Sequence, residues 1–124
     1  MNAEQLEYCR KNRWIVNRQG QEFITFKGLL WMAHQMGLTS LISTPVREDY
    51  ETFFFVFRAE AKGIREVAGQ TVEVSFADEG DASMKNVGKM ILPHLRRMAS
   101  TRAMVRALRI YTGCGLTAFE ELGD

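Results

Sequence analysis

The hydrophobic positions of the chain change their period several times, and each change predicts a new element. Residues 1–12 carry few large apolar side chains and predict a short helix or a mobile arm. Residues 14–26 hold two β-branched and aromatic runs around a turn, which predicts a β-hairpin with Gly20 at positive φ. Residues 27–37 repeat apolar side chains at helical intervals, and Gly37 stands where a C-terminal cap belongs. A hairpin followed by a short amphipathic helix is therefore expected.

Residues 38–77 predict a three-stranded antiparallel meander. Pro45 indicates that the first strand is irregular or lies at a sheet edge. The second strand, residues 52–61, has apolar side chains on both faces, which is typical of a central strand covered by a helix on one side and by a second cover, such as a partner subunit, on the other. Its phenylalanines fit a core, although aromatic rings also stack on bases. Residues 62–69 predict a loop, and residues 71–77 alternate as a half-buried strand.

A long basic helix is expected at residues 84–113. The acidic residues 78–83 predict a turn that ends the sheet, with Asp81 or Ser83 as the helix N-cap. Pro93 removes a backbone donor, so a kink or a restart of the helix is expected near it. The complete order is β-β-α-β-β-β-α, an α+β domain with helices laid on an antiparallel sheet.

The composition fits one ordinary globular domain. A chain of 124 residues can bury one core, so residues 1–124 are interpreted as a single domain. Residues 117–120 have the spacing of a capping box and predict a last helical turn. Cys9 and Cys114 lack metal-ligand spacing, which argues against a zinc site and indicates a reducing compartment. No apolar run predicts a signal core or a membrane span, so a cytoplasmic protein is expected, associated with the nucleoid if its host is prokaryotic.

Charge is distributed unevenly, although the formal net charge is only +1. No acidic residue lies between Asp81 and Glu120, while seven basic residues do: Lys85, Lys89, Arg96, Arg97, Arg102, Arg106 and Arg109. On a helix Arg102, Arg106 and Arg109 share one face within an arc of roughly 60°. Like charges stacked in this way repel one another, and an anion in front of them would relieve the repulsion. A solvated helix face is the alternative interpretation.

Enzymatic motifs are lacking in the sequence. It contains no phosphate-binding glycine loop, no HExxH and no GxSxG, so neither catalysis nor a cofactor is expected. His34 and His94 are isolated histidines, for which a surface or locally bonded position is the usual explanation. The acidic turn at residues 78–81 could hold a divalent cation, but a solvated capping turn is the simpler interpretation, and no metal site is predicted.

The run Arg106-Ala107-Leu108-Arg109, followed by an aromatic residue and Gly113, resembles the helix of single-strand annealing proteins of the Rad fifty-two type, in their prokaryotic and phage DNA-damage-response branch. The turn at residues 80–83 and the run at residues 98–103 are similar to those of prokaryotic and phage members. In layout the likeness covers residues 22–122. The resemblance implies a groove for the single-strand backbone lined by Arg106 and Arg109, and assembly into rings or filaments, with recombination proteins as further partners. We add Arg102, one turn earlier.

The expected function is therefore binding of single-stranded DNA and annealing of complementary strands in recombination and repair. The predicted DNA-binding residues are Arg102, Arg106, Arg109, Arg96, Arg97 and Lys89. Reversing the charge of Arg106 and Arg109 together is expected to abolish binding and to leave the fold intact. The alternative is a non-enzymatic, oligomeric interaction module whose basic helix docks an acidic protein partner.

Overall fold

The sequence folds into three helices and two antiparallel sheets, as the computed structural model describes them for residues 1–87 and 93–122. The predicted α+β order is confirmed, with one more helix in front of it. The elements are α1 (Ala3–Lys11), β1 (Ile15–Arg18), β2 (Gln21–Ile24), α2 (Phe26–Gln35), β3 (Leu38–Asp49), β4 (Phe54–Val67), β5 (Gln70–Ser83), α3 (Leu95–Thr112) and a 3₁₀ turn (Phe119–Glu121). None of the helices in the described part of the chain is long and apolar enough to cross a membrane.

The first residues form a helix that is attached to the body of the protein. Asn2 caps α1 through its side chain, which accepts a hydrogen bond from the Gln5 backbone N–H, and the Gln5 side-chain oxygen accepts one from the Asn2 backbone N–H. Such a capping box satisfies two donors that the first helical turn leaves free. Cys9 on the inner side of α1 is fully buried in the core. The mobile arm considered for residues 1–12 is thus replaced by a packed helix.

The hairpin and the short helix follow the sequence prediction. Gln19 and Gly20 both have positive φ, 54° and 83°, which matches the two-residue turn that suits the twist of a β-hairpin. The helix α2 is capped by the Thr25 hydroxyl, which accepts from the Gly28 N–H at 3.2 Å. Gly37 follows the helix at φ 85°, the conformation expected after a helix C-terminus.

The meander has the order β3-β4-β5, so the aromatic strand is central as predicted. Both later strands are longer than expected. The predicted loop at 62–69 is strand up to Val67, and the chain reverses at Ala68 and Gly69, both with positive φ. The predicted turn at 78–83 is also wrong, because β5 pairs with β4 in continuous register as far as Ser83. The strands β4 and β5 have fourteen residues each, and the hydrogen bonds between them outweigh the weak strand propensity of the charged residues.

The central strand turns its predicted apolar side toward the core. Phe55, Phe57, Ala59 and Ala61 are all buried. Phe53, predicted on the same face, instead lies in the β3–β4 turn with φ 52° and remains 45% exposed. Pro45 lies on the edge strand β3 next to a register shift, as its missing N–H requires.

The helix α3 is shorter than the predicted helix of residues 84–113. It begins at Leu95, after Pro93, and residues 84–87 form a turn that follows β5. Asp81 and Ser83 are consequently strand residues and not N-caps. Gly113 ends α3 in the left-handed conformation at φ 68°. The predicted last helical turn is the 3₁₀ turn after Ala118, whose neighbour Thr117 accepts from the Ile24 N–H.

The core lies between α3 and one face of the meander. At the crossing of α3 with β5, a Cβ added to Gly80 would overlap the backbone of Ala103, so only glycine permits this approach. The small buried residues Ala99, Ala103 and Ala107 keep the helix close to the sheet. The opposite face of the sheet is largely exposed, with Ile42 and Ile64 at 56% and 46%.

Candidate nucleic-acid interface

The arginine stripe, defined as Arg102, Arg106 and Arg109, shares one side of α3 as its spacing requires. This side does not face open solvent. It lies against the edge of β5 and against the C-terminal 3₁₀ turn, where backbone carbonyls and carboxylates surround it. The structure thus brings the three residues together but fills the space in front of them with groups of this chain.

Arg102 is the most enclosed residue of the stripe, with 3% of its surface exposed. Its guanidinium donates to the Asp81 carbonyl at 3.0 Å, and to the side-chain and backbone oxygens of Asn86 at 3.1 Å each. A longer contact of 3.5 Å reaches the Glu120 carbonyl. Burial lowers the pKa of Arg102 below its ordinary value, and neighbouring Arg106 lowers it further. The interpretation of Arg102 as a phosphate-binding residue is corrected, since its donors hold three chain segments together.

Arg106 and Arg109 share the carboxylate of Glu121. Arg106 Nε lies 2.7 Å from one Glu121 oxygen, and an Arg109 terminal nitrogen lies 3.4 Å from the other. Arg106 also donates to the Glu79 carbonyl at 3.0 Å and approaches Asp81 at 3.6 Å. Burial alone would lower the pKa of Arg106, but the bond to Glu121 and the carboxylates nearby raise it. About a third of each side chain remains exposed, 33% for Arg106 and 30% for Arg109.

The neutralisation of the stripe explains why a basic run in sequence is not a basic surface. Glu121 lies after the acid-free run in the sequence, and the 3₁₀ turn places its carboxylate against α3. Asp81 lies before the run, on the adjacent strand β5. Reversing the charge of Arg106 and Arg109 would place four carboxylates together in a half-buried place. The expectation that this double change leaves the fold intact is therefore withdrawn.

Arg96 and Arg97 occupy a different position, at the N-terminal end of α3. They border an open cleft of about 360 Å³ whose floor includes Phe57 and whose rim includes His94 and Ser100. Both arginines are exposed, and Arg97 has no ion-pair partner within residues 1–87 and 93–122. The first turn of α3 carries no acidic residue, and His94 makes no side-chain cap. The positive end of the helix dipole thus adds to the two guanidinium charges.

Aromatic rings accompany these two arginines. The Arg96 guanidinium lies 5.1 Å from the centre of the Phe57 ring and forms an ion pair with Glu48 of β3. Glu48 raises the pKa of Arg96, and the Tyr50 side chain contributes in the same direction. Tyr50 itself is 63% exposed and packs edge-on against Phe55 at 5.2 Å. We call the group Tyr50, Phe57, Arg96 and Arg97 the α3 N-terminal surface.

The structure does not place the other candidate residues of the described chain in this surface. Lys89 lies outside the described residues. His34 lies in the last turn of α2, exposed. The acidic residues 78–81 belong to β5, and in the parts of the chain described no group of three acidic, histidine or cysteine residues could hold a metal. Cys9 and Cys114 are free and buried, and burial raises the pKa of both thiols.

Two features were missed in the sequence. Tyr8, Trp14 and Trp31 come from three separate segments and form one aromatic cluster at the surface. Arg65, predicted in a loop, lies against the Tyr111 ring with 4.3 Å between the guanidinium carbon and the ring centre, and donates to the Tyr111 carbonyl. Neither arrangement has a local spacing signal, because each depends on which segments the fold brings together.

Comparison with known proteins adds no family assignment. No protein-family model matches the chain, and no curated protein matches it either. The resemblance to annealing proteins therefore stays a prediction from the sequence, and the geometry described above is the basis for assigning a function.

Proposed function

We propose that this protein binds single-stranded DNA and anneals complementary strands, without a nucleotide cofactor, through the α3 N-terminal surface. The observation that supports the proposal is a cleft bordered by two exposed arginines, Arg96 and Arg97. The Arg96 guanidinium lies over the buried Phe57 ring and close to the Tyr50 side chain, which is exposed. Cations that contact phosphates and rings that stack on bases are the two components of sequence-independent single-strand binding.

The electrostatics of the surface favour a backbone phosphate. Glu48 balances one of the two arginines, which leaves Arg97 and the positive helix end as an excess of positive charge. The cleft between them is open to solvent and bordered by donors, as a phosphate requires. The arginine stripe offers less accessible charge, because Arg102 is buried and Glu121 and Asp81 lie against Arg106 and Arg109.

Annealing would follow from how the strand is held. Phosphate contacts fix the backbone and carry no sequence information, so base edges stay available for a complementary strand. Base pairing supplies the free energy of the reaction, and the protein lowers the electrostatic repulsion between two strands. Assembly into a homo-oligomer would place several such surfaces in a row.

Size-exclusion chromatography with light scattering, with and without a single-stranded oligonucleotide, tests the binding and the assembly together. The proposal predicts a species heavier than 14.2 kDa that co-elutes with the oligonucleotide. A monomer whose elution ignores the oligonucleotide at low salt would contradict it.

A fluorescence assay with two complementary labelled strands tests the annealing step. The wild-type protein is expected to speed duplex formation, and added salt is expected to slow it because counterions compete for the phosphates. Polyglutamate serves as the probe for the alternative, an acidic protein partner. Tight binding of polyglutamate without acceleration of annealing would support the interaction module instead.

A further inference from the structure

The aromatic cluster, defined as Tyr8, Trp14 and Trp31, is partly exposed: its tryptophans pack against the core, and Tyr8 lies at the surface. Tyr8 stacks on Trp31 with ring centres 4.5 Å apart and planes inclined by 14°. Trp14 lies 5.9 Å from Tyr8 and 6.0 Å from Trp31, tilted against both. Tyr8 is 46% exposed, and both tryptophans are partly exposed. Rings that only fix α1 to α2 would be expected to close this surface more completely.

Positive charge surrounds the cluster. The Lys27 ammonium lies 5.6 Å from the centre of the Trp14 ring. Lys11 is one helical turn from Tyr8, and Arg13 precedes Trp14; all three cations are exposed. In the described part of the chain none of the three forms an ion pair, whereas Glu7 and Glu22 nearby are bound to Arg10. Glu4 is the remaining acidic residue of α1, so the local balance is positive.

The cluster lies at the other end of α3 from the α3 N-terminal surface. The amino group of Met1 contacts the Thr112 carbonyl at 3.4 Å, at the last residue of α3. Cys9, the neighbour of Tyr8 in α1, lies close enough to Cys114, just after α3, for the two thiols to interact electrostatically. An 18-residue helix is about 27 Å long at 1.5 Å per residue. The two surfaces are therefore separate, and one nucleotide cannot contact both.

We infer that the aromatic cluster is a second site for single-stranded nucleic acid, where unpaired bases stack on Tyr8 and the tryptophans while Lys11, Arg13 and Lys27 contact the phosphates. Stacking tolerates any base, and the surrounding cations select an anionic polymer over a neutral aromatic ligand. The inference rests on the proposed function, since it adds a second contact to the same strand or holds the second strand.

The tryptophans report on the site directly, because the sequence contains two of them and both belong to the cluster. Oligothymidylate and oligouridylate are titrated separately while tryptophan emission and the anisotropy of a labelled strand are recorded. Emission is expected to be quenched over the concentration range in which anisotropy rises. The change Tyr8→Ala should weaken binding roughly tenfold, the effect of losing one stacked base, and Tyr8→Phe should restore it. A difference between the two strands reveals a preference for DNA or RNA.

Two variants that each remove one positive charge distinguish binding at the cluster from attraction by the net charge of the protein. Lys27→Gln should reduce both the affinity and the quenching, whereas Lys62→Gln on the exposed face of β4 removes the same charge and should change neither. Anisotropy that rises without quenching, with both lysine variants alike, would overturn the second site and leave the proposed function standing. No rise in anisotropy would contradict both. If tryptophan emission changes with protein concentration and not with added oligonucleotide, the cluster is a contact between two copies of the protein and the second site is overturned.

Discussion

At the scale of single residues, the same side chain type serves opposite purposes along α3. Arg97 is exposed and without an ion pair in the described part of the structure, while Arg102, five residues later, is 3% exposed and donates to oxygens of two other segments. The guanidinium suits the second role because its fixed fork of donors can satisfy several carbonyls at once. The spacing in the sequence grouped Arg102 with a binding face, but its burial and hydrogen bonds show that it stabilises the fold.

Replacing Arg102 by alanine is expected to destabilise the fold without acting on a binding surface. The change removes a buried guanidinium and leaves the carbonyls of Asp81 and Asn86 without their donor in a partly buried place, which should cost about 2–4 kcal/mol of unfolding free energy. Urea denaturation measures the loss, and Arg97→Ala serves as the exposed control with a change within about 0.5 kcal/mol. Equal stability of Arg102→Ala and the wild type would contradict this role.

Glu121 gives a second residue-scale prediction. Glu121→Gln removes the anion that Arg106 and Arg109 share, so stability should fall modestly while the affinity for a single-stranded oligonucleotide rises at low salt. Glu51→Gln, in the exposed β3–β4 turn, is the control for loss of one negative charge. If both variants gain affinity equally, the carboxylate of Glu121 has no special effect on the stripe and only net charge matters.

At the scale of elements, the crossing of α3 and β5 depends on one glycine. Gly80→Ala is expected to push the helix from the strand and to cost about 1–3 kcal/mol, as overpacking does. Gly115→Ala is the matched control, since a Cβ there meets nothing within 4 Å and the backbone is not left-handed. Thermal unfolding compares the two. A Gly80→Ala protein as stable as Gly115→Ala would show that the helix can shift freely.

The β3–β4 turn predicts a dependence of stability on pH. Backbone N–H donors of Thr52 and Glu51 hold the Asp49 carboxylate and lower its pKa from 3.8 to about 2. Because the folded pKa is depressed, the stabilisation is present above the ordinary value and is lost as pH falls through about 2. Asp49→Asn keeps an acceptor oxygen, so its urea midpoint should fall less than that of the wild type across this window. Parallel curves would contradict the assignment.

Among the elements, those with a local signal were predicted well. The hairpin turn at Gly20, the cap at Gly37 and the central position of β4 each follow from residue types within a few positions. The restart expected near Pro93 agrees with the start of α3 at Leu95, although the helix was expected to begin at residue 84. The length of β5 was not predicted, because acidic residues 78–81 look like a turn until the partner strand β4 is known. Strand pairing is a tertiary contact, and no window of sequence contains it.

At the scale of the whole molecule, charges are distributed differently in the folded structure and along the sequence. The acid-free run between Asp81 and Glu120 is real, but folding places acids from outside the run against its second half. Its first half, at Arg96 and Arg97, keeps a positive excess because Glu48 balances one of the two charges. The class of ligand could thus be proposed from the sequence, whereas which basic residues are accessible required the fold.

The central claim is that Arg96 and Arg97 bind the strand, and fluorescence anisotropy of a labelled single-stranded oligonucleotide over a series of salt concentrations tests it most directly. Arg96→Gln with Arg97→Gln is compared with Arg58→Gln plus Lys62→Gln, which removes two charges from the exposed face of β4. We predict weaker binding for the first variant and a logarithmic salt slope shallower by about 1.4, since each lost single-strand phosphate contact removes about 0.7. The second variant should match the wild type. Equal losses in both variants, or no loss in the first, would contradict the account.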